Sequence, residues 1–65
     1  MAERSRYEGM TTNERLFDAG ILQAFSDAVS TRDRAEMIRL LASVDIEEPA
    51  WSADTILQEP ERYGL

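Results

Sequence analysis

The sequence predicts an all-α fold, a small bundle of three to four short helices. Three observations carry that expectation. Apolar residues recur at helical spacing through the middle of the chain. Helix-starting residues stand where each apolar stripe begins. No period-two alternation of β-branched residues lasts four positions. The chain has 65 residues, enough for one domain, and a chain of this size buries only about 60% of the surface its unfolded form exposes. Residues 1–10 show no period and read as an N-terminal arm, docked through Tyr7, with Met10 a candidate alternative start. Residues 11–65 read as the single helical domain.

Thr11 with Glu14 three residues later fits a capping box, so the first helix starts there and carries Leu16 and Phe17 inward. Gly20 then ends it, because glycine closes a helix without strain at the position after the cap and weakens one it lies within. A single helix running through Gly20 is the alternative, since Phe17, Ile21, Ala24 and Ala28 keep helical spacing across it. Ile21, Leu22, Phe25, Ala28 and Val29 then form one apolar stripe, with Gln23, Ser26, Asp27 and Ser30 opposite. Asp33 with Glu36 is a second box-like start. The helix that follows carries Met37, Leu40, Leu41 and Val44, with Ile38 beside them. Asp45 to Glu48 is a loop with Ile46 tucked in. Pro49 suits the first position of a fourth helix over 49–58, which presents Trp51, Ile56 and Leu57. Pro60 stops it, and residues 60–64 make one last turn, with Gly64 as its cap and Tyr63 and Leu65 docking back.

Composition removes most chemistry. The chain has no Cys and no His, and all 7 basic residues are Arg. Thiol chemistry, zinc-thiolate sites, the commonest general base and Schiff-base lysines are therefore all missing. Asp45, Glu47 and Glu48 are close in sequence but match no calcium-loop spacing, and no glycine-rich phosphate loop exists. The expectation is a protein that is not an enzyme and takes no cofactor and no metal. No polar-flanked apolar run resembles a signal peptide or a membrane span, so a cytoplasmic protein of a bacterial host cell, without membrane contact, is expected.

Charge is the remaining signal. The 13 acids outnumber the basic residues by six. Up to Ala42 there are seven acids against six Arg, a net of −1; beyond it, six acids (Asp45, Glu47, Glu48, Asp54, Glu59 and Glu61) face Arg62 alone, a net of −5. Glu14, Asp33 and Glu36 fall in first turns, where carboxylates offset the helix dipole. The six late acids are the candidate partner-binding residues, for a protein partner with a basic, nucleic-acid-binding surface. A solvated face kept for solubility is the alternative. Arg32, Arg34 and Arg39 interleave with Asp33 and Glu36, so no direct contact with nucleic acid is expected. Trp51 reads first as a core anchor, and otherwise as an exposed apolar hot spot beside the acidic stretch. A monomer is expected.

The run Glu14-Arg15-Leu16-Phe17-Asp18-Ala19-Gly20-Ile21-Leu22, then Arg32-Asp33-Arg34, and the ending from Asp54 through Pro60 to Gly64 resemble small acidic proteins of proteobacterial phages and mobile elements. Among these the chain is most similar to type I anti-CRISPR proteins of the group acting on the type I-C Cascade complex. The resemblance spans residues 11–65 and lies in size, acidity and helical layout. It implies an inhibitor that binds a Cas effector subunit and presents carboxylates where DNA phosphates would lie. A different class stays open, a helical adaptor or antitoxin-like subunit binding a protein through Trp51, Ile46 and Leu65.

Overall fold

The computed structural model describes residues 6–63, with Tyr63 by its backbone alone. The order is α1 (Thr12–Asp18), α2 (Leu22–Ser30), α3 (Arg34–Ser43), α4 (Pro49–Gln58) and a closing 3-10 turn, Pro60–Tyr63; there is no strand among the described residues. The all-α expectation holds. The cap expected at Gly64 and the docking of Tyr63 and Leu65 lie outside what is described.

The helices are 7 to 10 residues long, too short to persist alone in water, so packing and capping must hold them. The capping box of α1 forms in both directions. The Glu14 N–H donates to Thr11 Oγ1 (3.2 Å) and the Thr11 N–H donates to Glu14 Oε1 (2.8 Å). At α3 only half of the box forms. The Glu36 N–H donates to Asp33 Oδ1 (3.2 Å), but the Asp33 N–H already donates to the Ala28 carbonyl (2.8 Å). With no donor left to reach back for, the Glu36 carboxylate pairs with Arg39 instead.

Three corners join the four helices by one device. At each, the residue after the cap takes a positive φ: Gly20 (75°), Arg32 (55°) and Asp45 (62°). Its N–H donates three residues back, and the next residue's N–H donates five back, so the last carbonyls of the helix are satisfied. These bonds are Gly20 to Phe17 (3.0 Å) and Ile21 to Leu16 (2.9 Å) after α1, and Arg32 to Val29 (3.0 Å) and Asp33 to Ala28 (2.8 Å) after α2. After α3 they are Asp45 to Ala42 (3.1 Å) and Ile46 to Leu41 (3.2 Å). Gly20 thus ends the first helix, as its sequence position suggests. The hydroxyl of Thr31 adds a bond to the Asp27 carbonyl (3.1 Å) at the end of α2.

The core is Tyr7, Leu16, Phe25, Ala28, Val29, Met37, Leu40, Leu41, Val44, Ala53 and Ile56. It contains the predicted stripes of α2 and α3 almost unchanged, and Ile46 packs against it as expected. Tyr7 docks the N-terminal turn. Two expectations fail. Phe17 is 75% exposed and Trp51 65% exposed. In α1 the inward stripe is Thr12, Arg15, Leu16 and Ala19, at i, i+3, i+4 and i+7, and Phe17 stands about 100° beyond Leu16. In α4 the inward stripe is Pro49, Ser52, Ala53 and Ile56. Trp51 lies two residues from Ala53, about 200° around the helix, so burying the small Ala53 against α3 turns the indole outward.

Arg15, on the inward stripe of α1, is half-buried and makes a long-range polar link to residues 29 and 30 positions further along the chain. Its Nε donates to the Met10 carbonyl (3.1 Å), and its Nη1 to the carbonyls of Val44 and Asp45 (3.1 Å each). One guanidinium therefore ties the N-terminal turn and α1 to the end of α3, where a cation also offsets the helix dipole.

Two predictions follow from these joints. A Cβ at Gly20 would meet nothing within 4 Å, so the cost of Gly20→Ala is conformational only, about 1 kcal/mol or slightly more. Arg32→Gly removes the same penalty from the second corner and, net of the extra freedom of glycine in the unfolded chain and of the long, exposed bond to the Leu57 carbonyl, gains about 0.5 kcal/mol. Thermal melts followed by circular dichroism should show opposite shifts of several degrees, and equal signs would contradict the corner geometry. Arg15→Met keeps the apolar stem but strips the donors from three carbonyls, costing about 1.5–3 kcal/mol in urea unfolding. Arg15→Lys should recover less than half of that, because an ammonium cannot reproduce the planar fork.

Candidate functional site

The six acids beyond Ala42 do not form one cluster. Asp45 occupies the left-handed corner after α3, and Glu47 and Glu48 follow in the exposed loop that enters α4. Glu59 and Glu61 stand past the other end of α4, which is 10 residues long and so spans about 15 Å. Asp54 lies between, on the helix surface.

Two of the six stand in ion pairs among the described residues. Arg34 holds Asp54 by two bonds, Nε to Oδ1 at 2.7 Å and Nη2 to Oδ2 at 3.2 Å, in the fork geometry that guanidinium and carboxylate favour. The bond from Arg34 keeps the Asp54 carboxyl below the ordinary aspartate value. Arg62 stands 3.5 Å from Glu59. Glu47, Glu48 and Glu61 form no ion pair among the described residues.

The other described arginines are committed as well. Arg39 pairs with Glu36 (2.6 Å), Arg6 pairs with Asp18, and Arg32 Nη2 reaches the Leu57 carbonyl (3.4 Å). The arginines that cluster in the sequence, Arg32, Arg34 and Arg39, are thus each held by the protein itself. Among the described residues no three acids are placed to hold a metal ion, and no helix is long and apolar enough to cross a membrane.

What the corner does have is an aromatic neighbour. Trp51 sits in the first turn of α4, three residues after Glu48, the cap residue, and lines a small groove of about 120 Å3 with Thr12, Ser52, Thr55 and Ile56. Asp45, Glu47, Glu48 and the exposed indole therefore occupy one end of the bundle, where α3 hands over to α4. The carbonyl of Asp45 is pinned from beneath by Arg15. Sequence reading chose the acids and Trp51 but missed Arg15. The available signal was its position on the Thr12–Leu16–Ala19 stripe, since a basic residue on an inward stripe needs acceptors.

Searches of protein-family models, of curated proteins and of solved structures find no match to this chain.

Acid titration tests the pairing pattern. Glu14 is held below the ordinary glutamate value by the Thr11 backbone N–H, Glu36 by its bond from Arg39, and Asp54 by Arg34. A lowered folded-state pKa gives stability that is present above the unfolded value, 4.5 for Glu and 3.8 for Asp, and is lost as pH falls through the folded one. Asp54→Asn should therefore narrow the loss of thermal stability between pH 5 and pH 3 relative to the parent chain. An unchanged or wider loss would mean that the Arg34–Asp54 pair contributes nothing in solution.

Proposed function

We propose that this protein is an inhibitory binding module whose acidic corner occupies a basic, nucleic-acid-binding surface on a partner protein. The resemblance to anti-CRISPR proteins makes that partner a Cas effector subunit and the outcome a block of target DNA recognition, inside the cytoplasm of a bacterial host. The observation that carries this reading is the division among the late acids. Asp54 is bound by Arg34 and Glu59 stands near Arg62, while Glu47 and Glu48 have no ion-pair partner among the described residues and stand beside an exposed Trp51.

The corner combines the two elements that tight interfaces use. Carboxylates steer a basic partner and set register, an effect that weakens as salt shortens the screening length to about 8 Å at physiological strength. An indole at the centre of such a patch supplies the contact energy, typically about 2 kcal/mol or more when truncated. Phosphate mimicry needs only the first of these. The exposure of Trp51 favours a second reading as well, the helical adaptor or antitoxin-like subunit, in which the indole does the binding and charge serves solubility. Of the other residues proposed for that surface, Ile46 is already packed against the core, and Leu65 lies outside the described residues.

Charge reversal separates the two. Glu47→Arg with Glu48→Arg leaves the helix start unchanged, because Glu48 makes no side-chain cap. Asp45 is best neutralised as Asp45→Asn, since asparagine also tolerates a positive φ. This triple variant should keep its helicity, lose binding to purified Cas effector complex at least tenfold, and no longer compete with target DNA. Retained inhibition by a folded triple variant would sink the mimicry. Binding that persists at high salt and fails with Trp51→Ala would establish the adaptor reading in its place.

A further inference from the structure

The small groove beside Trp51 lies between α1 and α4, with Thr12 on one wall and Trp51, Ser52, Thr55 and Ile56 on the other. At about 120 Å3 it is well below the roughly 300 Å3 at which small-molecule sites begin, so it suits a single side chain. Ile56 is buried and gives it an apolar floor. Thr12, Ser52 and Thr55 are half-buried, and their hydroxyl oxygens can accept hydrogen bonds. Glu48, Trp51, Ser52 and Thr55 stand at i, i+3, i+4 and i+7, one face of α4 about 100° wide, so a carboxylate heads the strip that forms the groove. Asp54, held by Arg34, lies about 60° beyond Trp51 on the side away from the groove. We propose that this groove receives one arginine of the partner's basic surface, its guanidinium stacked on the Trp51 indole and donating to the Glu48 carboxylate, its apolar stem along Ile56. The inference rests on the acidic-corner reading and names the partner residue which that corner engages.

Charge selects a cation as the occupant. Glu47 and Glu48 form no ion pair among the described residues, and no described arginine lines the groove. An apolar side chain seated there would cover the hydroxyls and crowd the carboxylate without offering either a donor. Shape then selects among cations. A guanidinium is planar, weakly hydrated and carries a fork of N–H donors, so it can lie flat on an indole and bond a carboxylate at its edge. An ammonium is a strongly hydrated point charge and does only one of these at a time. Surfaces built to hold phosphates present arginine for the same reasons.

Fluorescence of Trp51, the one tryptophan of the chain, tests the proposal in the full-length protein. A capped hexapeptide of alternating glycine and arginine is titrated at low salt beside lysine and citrulline versions of the same peptide. The arginine peptide should move the indole emission to shorter wavelength and bind about threefold or more tighter than the lysine peptide. The citrulline peptide, planar but uncharged, should bind more weakly still. Thr55→Leu fills the groove without changing any charge; it should keep its helicity and lose the preference for arginine over lysine. Glu48→Gln should weaken the arginine peptide by about threefold or more, whereas Asp27→Asn, an equal change of charge on α2, should leave its affinity close to that of the parent chain. Equal affinity for the arginine peptide and either of the others, a parent-like preference in folded Thr55→Leu, or equal losses in Glu48→Gln and Asp27→Asn would each overturn the proposal. No Cas protein enters this experiment, so a groove without arginine preference is distinguishable from a corner that fails to bind the effector complex.

Discussion

The structure depends on the left-handed residue that closes each of the first three helices. Helices this short have a costly nucleus and little propagation to offset it, and a core of eleven side chains exists only if the helices meet at fixed angles. Gly20, Arg32 and Asp45 set those angles. At the first two corners the residue that completes the closing bonds is also the cap of the next helix: Ile21 for α2 and Asp33 for α3. The corners are therefore of minimal length, and end and start are one event. The third corner has two further residues, Glu47 and Glu48, before α4 begins. That extra length falls where the unneutralised carboxylates are.

Arg15 links this constraint to the candidate site. The carbonyls of Val44 and Asp45 are those a helix end leaves over after its corner has closed, and one guanidinium takes both while also holding Met10. Arginine suits the task because its fork is planar and stays charged when half-buried. The consequence is that the acidic corner does not hang from α3 alone. It is fixed to α1 and the N-terminal turn, so the spacing between Asp45 and the start of α4 is part of the packed body. In the proposed role, a corner built this way would lose little order on association, which favours affinity.

Legibility in the sequence followed amphipathicity. Helices α2 and α3 carry wide apolar stripes, and their buried residues could be named from spacing alone. Thr11 and Asp33 were readable because a side-chain oxygen has one thing to do before a helix. The stripes of α1 and α4 are harder to read because each has a large aromatic within two residues of a smaller residue that does the packing. Leu16 outcompetes Phe17, and Ala53 outcompetes Trp51, since Thr12, Arg15 and Ala19 lie on Leu16's side and Pro49, Ser52 and Ile56 on Ala53's. Size pointed one way and register the other, and register won. The positive φ of Arg32 and Asp45 had no local signature, because neither is glycine; only the hydrogen bonds of the completed corner reveal it. For the site, residue type marked the acids and Trp51, but their division between neutralised and unneutralised needed Arg34 brought to Asp54 from twenty residues away.

That division changes what the net charge of −6 means. Every described arginine has an acceptor: four stand in ion pairs and two, Arg15 and Arg32, bind carbonyls. Acids outside these ion pairs lie on several elements, at Glu14, Asp27, Asp33 and Glu61 as well as at the third corner. The third corner holds Asp45, Glu47 and Glu48 within four residues of sequence, an arrangement in which like charges repel. A fold can tolerate that repulsion where a half-buried guanidinium lies beneath and the positive end of a helix lies ahead, and this corner has both, in Arg15 and the start of α4. Like charge close in sequence with local compensation, beside an indole left in water, is the arrangement on which the proposed binding role rests. A basic surface that covers both at once would relieve the repulsion and bury the ring.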